Sequence, residues 1–329
     1  MNRVIRSLFI LIGCWLFLAT SSLNNAFAQN ERPNDAISMI WSPDGQLIAT
    51  GYEDGIITIS DGLSGDTLQI FIAHTNVVID VAWSPDSHQL ASVSMDKTLR
   101  LWDVLQGTLS KIVSMTPDYA STVIWSPDGK RIITGGIEDS HNLKVWDAKA
   151  GTLLQEFKAG SSVQMKWSPN GEILALANPT GIIELRDGKT LEVIKFMDDP
   201  ELGGQGYDNY QLAWKADSTQ ITAGKLNGML RTWDISTGKI LSTFATDDSN
   251  PLDFKTTLIM AISTINNDTK LVSVSADGRL RTWDVASSRI EQTVQLTDAA
   301  YAAAFSPDTS KIAFASTDRV IHIVSFPIS

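Results

Sequence analysis

His74, Ser92 and Asp96 lie close together in sequence and are the three residue types of a nucleophilic relay. In such a relay a carboxylate orients an imidazole and the imidazole takes the proton of a hydroxyl. Residue types alone do not make a site, and the set counts only in a fold that presents the hydroxyl to a substrate. The other histidines are scattered: His88 and His141 fall in turn-like stretches and His322 in a strand-like one, with no pair at metal-ligand spacing. Gly203-Gly204-Gln205-Gly206 follows an acidic segment and opens no helix, so it lacks the context of a phosphate loop. The Asp-rich segments offer oxygen atoms to a cation but lack the ordered spacing of an EF-hand loop. No catalytic residue, metal or cofactor is therefore expected.

The elements that position these residues repeat. Trp-Ser-Pro-Asp or its Asn variant stands at Trp41, Trp83, Trp125 and Trp167, each 42 residues after the last. Degenerate copies follow at Trp214-Lys215-Ala216-Asp217, Ile265-Asn266-Asn267-Asp268 and Phe305-Ser306-Pro307-Asp308. Within a repeat, Pro presets φ and Asp accepts from the backbone beyond it, so the chain must reverse there. After Trp83 the segments Leu90–Ser94 and Thr98–Trp102 read as short strands divided by a turn at Asp96-Lys97, and Thr108–Val113 reads as an outer strand. A strict period of this length, without helical periodicity, predicts an all-β, seven-bladed β-propeller of four-stranded antiparallel blades.

Four third strands end in Trp-Asp, at Trp102-Asp103, Trp146-Asp147, Trp233-Asp234 and Trp283-Asp284, with a decayed Arg186-Asp187. On these motifs the chain resembles the WD-repeat β-propellers over residues 37–326. The resemblance implies a protein-binding scaffold without catalysis. It also implies a buried hydrogen-bond chain inside each blade, from Trp indole to hydroxyl to His to turn Asp. The second blade matches at every position, with Trp102, Ser92, His74 and Asp96. The sixth keeps Trp283, Ser273 and Asp277 without a His. The fifth has Trp233 with Ala223 and Asn227, and the fourth has Arg186 and Leu176. Blades held mainly by apolar stacking are the expectation, with the fourth the weakest. The WSPDGK wording at Trp125–Lys130 is shared with Tol-type periplasmic propellers, a second resemblance.

The chain's start reads differently. Arg3 and Arg6 precede an apolar run, Leu8–Ala19, and then Ala26-Phe27-Ala28. That is the layout of a secretory signal cleaved after Ala28, too short in its apolar part to cross a bilayer. Residues 1–28 are thus a signal and 29–329 the propeller of an exported, periplasmic or secreted, monomeric protein that is not inserted in a membrane after cleavage. Leu11-Ile12-Gly13-Cys14 offers a lipoprotein alternative at Cys14, weakened by the apolar residues that follow it. Cys14 is the one cysteine, so no disulfide staples the mature chain. A net charge of −11, more negative still without Arg3 and Arg6, excludes nucleic acid as an expected partner. At the far end the last blade reaches its third strand and the chain stops, while Pro33 disrupts the few residues before the first inner strand. A full outer strand is not expected there.

In a propeller the second-to-third and fourth-to-first strand connections emerge on one face, the top. Both enlarged spacers fall there, at Asp198-Asp199-Pro200-Glu201 through Asp208 and at Asp247-Asp248 through Asp253, with Glu53 and Glu138 in second-to-third turns. Tyr119, Tyr210 and Tyr301 stand near inner-strand starts on the same rim. The expected contact face is thus Glu53, Tyr119, Glu138, Asp198, Asp199, Asp208, Tyr210, Asp247, Asp248 and Tyr301, suited to a basic protein partner. The alternatives are a lactonase- or quinoprotein-like propeller enzyme with a metal or cofactor in the central channel, and a Tol-like envelope component. The inner strands read mainly as apolar and small residues, as in Ala302-Ala303-Ala304, which disfavours the enzyme.

Overall fold

The Ser-Pro-Asp turn shows in atomic terms why the repeat is spelled as it is. Ser42 Oγ donates to Asp44 Oδ1 at 2.6 Å, Asp44 Oδ1 accepts the Gln46 N–H at 3.0 Å, and Ser42 Oγ accepts the Leu47 N–H at 2.9 Å. The same lock recurs around Ser84 and Asp86, Ser126 and Asp128, Ser168 and Asn170, and Ser306 and Asp308. One residue past the acid the backbone turns left-handed, a role taken by Gly45 at φ 71 and by Ser87 at φ 63. The Asp of each Trp-Asp ending locks the next turn by accepting backbone N–H groups, as Asp147 does from Lys149 at 3.0 Å and Ala150 at 2.6 Å. Asp187 of the decayed dipeptide does the same for Thr190 at 2.8 Å.

The computed structural model describes residues 35–325 apart from 117, 137–141, 160–163, 179–180, 199–210, 225–227, 246–257, 266, 298 and 317–319. The first blade is β1 (Ala36–Trp41), β2 (Leu47–Tyr52), β3 (Ile56–Asp61) and β4 (Thr67–Ile72). The second is β5 (Val78–Trp83), β6 (Gln89–Ser94), β7 (Thr98–Asp103) and β8 (Thr108–Ser114), and the third is β9 (Ala120–Trp125), β10 (Arg131–Gly136), β11 (Asn142–Asp147) and β12 (Leu153–Lys158). The fourth is β13 (Gln164–Trp167), β14 (Ile173–Ala177), β15 (Ile183–Asp187) and β16 (Val193–Met197). The fifth is β17 (Gln211–Trp214), β18 (Gln220–Gly224), β19 (Leu230–Asp234) and β20 (Ile240–Phe244). The sixth is β21 (Ile259–Ile265), β22 (Lys270–Ser275), β23 (Arg279–Asp284) and β24 (Arg289–Gln295). The seventh has three strands among the described residues, β25 (Ala302–Phe305), β26 (Lys311–Ala315) and β27 (Ile321–Ser325). Every blade pairs antiparallel in chain order, so the molecule is a seven-bladed β-propeller.

The core is a set of layers between blades. Each apolar cluster joins two neighbours, such as Ile57, Phe71, Val78, Trp83 and Trp102 between the first and second. Trp41, Ile48, Ala302, Ala313 and Ile321 join the first to the seventh and close the ring. A blade is apolar on both faces, and stacking is the arrangement that removes both from water. The recurrent inner-strand tryptophans add a polar staple. Their indole N–H groups donate to inner-strand carbonyls of the preceding blade: Trp41 to Ala304 at 3.0 Å, Trp83 to Ile40 at 3.3 Å, Trp125 to Ala82 at 3.1 Å, Trp167 to Trp125 at 2.8 Å and Trp214 to Lys166 at 3.2 Å. The residue that marks the repeat in the sequence is therefore the one that measures the spacing between blades.

Candidate functional site

The relay residues of the second blade converge. Trp102 Nε1 donates to Ser92 Oγ at 3.0 Å, Ser92 Oγ lies 2.7 Å from His74 Nε2, and His74 Nδ1 lies 2.9 Å from Asp96 Oδ2. The carboxylate can only accept, so Nδ1 carries the imidazole proton and Nε2 accepts from the serine hydroxyl. Thr98 Oγ1 donates to Asp96 Oδ1 at 2.6 Å and Arg100 Nη2 reaches Asp96 Oδ2 at 3.3 Å. Burial holds His74 in its neutral form, with a pKa pushed down to about 4 against the raising effect of Asp96. This is the hydroxyl–imidazole–carboxylate order of a hydrolase, yet Ser92 is 0% exposed and its oxygen is already shared between an indole and an imidazole. No substrate atom can reach it, and what the chain does is tie the second to third strands of the blade to the turn before its first.

The other blades depart from this pattern in different ways. In the third, Trp146 donates to Thr134 Oγ1 at 3.0 Å, and in the sixth Trp283 donates to Ser273 Oγ at 2.9 Å. There Arg281 Nη1 donates to Ser275 Oγ at 2.6 Å and its Nη2 lies 3.6 Å from Asp277. In the fifth, Trp233 is fully buried and its indole N–H finds no partner among the described residues. The fourth blade carries a buried polar link of its own in place of the missing tryptophan. Arg186, 2% exposed, fills the tryptophan slot and is paired with Glu184. It also donates to the Leu191 carbonyl at 2.7 Å and the Lys158 carbonyl at 2.8 Å, with Phe157 5.7 Å beneath its guanidinium. A planar cation with its donors satisfied replaces an indole of similar reach. Glu184 sits two residues before Arg186 on one strand, which puts both side chains on the same face, and that spacing is the signal in the sequence that could have found the pair. Buried side-chain hydrogen bonds thus accompany the apolar layers in the second, third, fourth, fifth and sixth blades, the fifth through Thr222 and Thr232 at 2.7 Å.

The central channel is also more polar than the Ala302-Ala303-Ala304 stretch implied. Three residues before each inner-strand tryptophan stand Ser38, Asp80, Thr122, Gln164 and Gln211. Ser38 and Thr122 donate to the two oxygens of Asp80 at 2.8 and 3.0 Å, and the backbone N–H groups of Val81 and Val123 complete the set at 2.9 Å each. Desolvation raises the Asp80 pKa above the ordinary carboxylate value while these donors pull it back. Gln164 donates to Gln211 at 2.9 Å. Lys166, solvent-accessible on the same wall, donates to the Leu212 carbonyl at 3.1 Å and is held below its ordinary pKa by desolvation. A cavity of about 240 Å³ is lined by this belt together with Ile37, Ile79, Met95, Leu258 and Met260.

The expected contact face divides. Glu53 and Tyr119 are half-buried at the top, Asp198 is exposed, and Tyr301 is 3% exposed. Tyr301 is thus a buried residue and not part of a contact surface. Glu138, Asp199, Asp208, Tyr210, Asp247 and Asp248 lie outside the described residues. Other acids of the described part of this face are paired with cations. Asp118 pairs with Lys144 at 2.8 Å, and Asp96 and Asp277 face Arg100 and Arg279 at 3.3 and 3.5 Å. Cations on the third strands compensate acids of the same blade, a pairing that composition does not show. No three His, Cys, Asp or Glu residues converge as a metal site among the described residues.

Comparison with known proteins bears on the family. The chain is 37% identical over 91 residues to WD repeat-containing protein 1 of Gallus gallus, an alignment covering 27% of this chain and 14% of that protein. The bovine (Bos taurus) protein of that name is 43% identical over 91 residues, with the same coverage. Periodic tryptophan protein 2 of Arabidopsis thaliana is 27% identical over 212 residues, 64% of this chain and 23% of that one. The matches thus span less than a quarter of each relative. The family described as eukaryotic translation initiation factor eIF2A matches residues 61–181. The family described as anaphase-promoting complex subunit 4 WD40 domain matches residues 18–81 and 165–266, together half of the chain, and with its seven blades and Trp-Asp strand endings the chain belongs to that WD40 propeller family.

Proposed function

We propose that the protein is an interaction scaffold that binds a protein partner through the top of the ring. The observation that carries this reading is the channel mouth, where Ile37, Ile79, Met95 and Met260 join the Asp80 belt in lining a cavity of about 240 Å³. An apolar, methionine-bearing opening with fixed polar groups suits the anchoring side chain of a partner. The half-buried Glu53 and Tyr119 and the exposed Asp198 stand on the same face as contact residues around it. A propeller enzyme with a metal or cofactor in the channel finds less support, since each oxygen of Asp80 already accepts two hydrogen bonds. The reading also places the scaffold outside the cytoplasm, on the strength of the signal-like residues 1–28. The test is capture from an envelope extract with the full chain and with Met95→Glu combined with Met260→Glu. A specific partner retained by the first and lost by the second supports the reading. Equal capture by both places the binding surface elsewhere.

A further inference from the structure

The two sides of the channel wall differ in chemistry, and the hydrogen bonds fix in which sense. On the first three blades Asp80 accepts from the hydroxyls of Ser38 and Thr122 and from the N–H groups of Val81 and Val123, so its acceptor positions are filled and those donors are used. The wall of the fourth and fifth blades is different. The Leu212 N–H can only donate, so the Gln164 atom that meets it is Oε1. Gln164 Nε2 therefore faces Gln211, which presents its own Oε1 at 2.9 Å. These two bonds orient both amides and leave Gln211 Nε2 with both hydrogens unused among the described residues, and Gln164 Nε2 with one. Both side chains line the cavity of about 240 Å³. Lys166 stands two residues along β13 on the same face as Gln164 and is exposed. Its Nζ donates to the carbonyl of Leu212, the residue whose N–H meets Gln164, so the ammonium lies beside the amide pair. The residues directly before the other inner-strand tryptophans are Ile40, Ala82, Ile124 and Ala213, so Lys166 is the one cation at this level of the first five blades.

We infer that this wall holds a carboxylate, and that the partner's anchor is the last residue of its chain, an apolar residue whose free C-terminal carboxylate is taken by Gln211, Gln164 and Lys166. The inference rests on the partner-binding reading and gives the anchor its chemistry. Unused donors beside a cation select an anionic acceptor. Asp80 has no acceptor position left and its charge repels a second carboxylate, so the group is directed to the fourth and fifth blades. The apolar part of the cavity, with Ile79, Met95, Leu258 and Met260, takes a hydrocarbon side chain. An Asp or Glu side chain brings a carboxylate without that hydrocarbon, whereas a C-terminal apolar residue carries both on one Cα. A volume of about 240 Å³ falls below the ~300 Å³ at which pockets for drug-sized ligands begin, which limits the occupant to about one residue.

Calorimetric titration of the full chain with the peptide acetyl-Gly-Gly-Leu tests this, against the same peptide ending in an amide and against isocaproate, the leucine carbon skeleton as a free acid. The free-acid peptide is expected to bind at least about ten-fold tighter than its amide, because the amide lacks the charge that the donors and the ammonium meet. Gln211→Glu keeps the acceptor that Gln164 needs and puts a negative charge in place of the unused donor, and Lys166→Met removes the cation. Each should weaken the free-acid peptide at least about ten-fold, with a urea midpoint like that of the wild type, and Lys166→Arg should bind as the wild type does. Equal binding of acid and amide, no binding of the free-acid peptide, or undiminished affinity in Gln211→Glu and Lys166→Met overturns the inference. So does isocaproate binding as tightly as the peptide, which makes the site one for a free monocarboxylate. None of these results decides the partner-binding reading, which falls on its own test when Met95→Glu with Met260→Glu captures the partner as the wild type does.

Discussion

The buried relay of the second blade should make the protein lose stability in a pH window where most of its carboxylates are silent. His74 has a pKa of about 4 in the folded chain against 6.5 when unfolded, the lowering coming first from desolvation. The unfolded chain therefore binds a proton that the folded chain refuses, and stability falls as pH drops from above 6.5 towards 4. With about 1.4 kcal/mol per unit of pKa difference, lowering pH from 7 to 5 removes about 2 kcal/mol. The turn carboxylates Asp86, Asp96, Asp128 and Asp308 have pKa values lowered from 3.8, so their stabilisation is lost below this window. Asp80, raised from 3.8, works in the opposite sense as pH falls, which is why a variant control is needed. His74→Gln keeps a donor and an acceptor between Ser92 and Asp96 and removes the titration. Urea unfolding at pH 7, 6 and 5 should give a steeper loss for the wild type than for His74→Gln, by about 2 kcal/mol across the range. Identical slopes would refute the claim that His74 is buried and neutral in the fold.

Three further outcomes are expected. Glu184→Ala should destabilise by about 3–5 kcal/mol because it leaves the Arg186 guanidinium buried without its carboxylate, whereas Glu184→Leu with Arg186→Leu should cost far less, both read by urea midpoints. Trp102→Phe should cost about 1–2 kcal/mol more than Trp233→Phe in the same assay, since Trp102 donates to Ser92 and the Trp233 indole N–H donates to nothing described. The mature protein should begin at Gln29, and an intact mass that includes residues 1–28 or a lipid on Cys14 would contradict this.

How much of this was legible in the sequence depends on how local each feature is. The Ser-Pro-Asp turns and the Trp-Asp endings are closed by residues two to five positions apart, so period and blade number could be read directly. The His74 relay was reached through family resemblance, because its members are brought together by strand register: Ser92 on β6 and Trp102 on β7 stand on strands whose pairing sets Leu90 opposite Trp102. The channel belt was missed. Ser38, Asp80 and Thr122 are separated by 42 residues each, and nothing in one repeat announces that its inner-strand residue will donate to the next. Tyr301 reads as a rim residue because it precedes an inner strand, but it is 3% exposed, and its burial is not marked by any local motif.

The same contrast explains why the ring tolerates decay of its own motif. Every blade shares an apolar layer with each neighbour, and each of the first five is also stapled to the preceding blade by an inner-strand indole. A blade that loses its internal relay keeps these contacts, so substitutions there need only preserve volume and satisfy the polar atoms they bring in. Arg186 with Glu184 meets both demands, and Trp233 meets the first. The inner-strand tryptophan is kept longer, because its indole N–H reaches a carbonyl across a blade junction, and it gives way to Ile265 and Phe305 in the sixth and seventh blades alone. That constraint accounts for a pattern visible in the residues themselves. The indole of the third strand is replaced in the fourth blade, while the indole that opens the first-to-second turn persists through five consecutive blades, from Trp41 to Trp214.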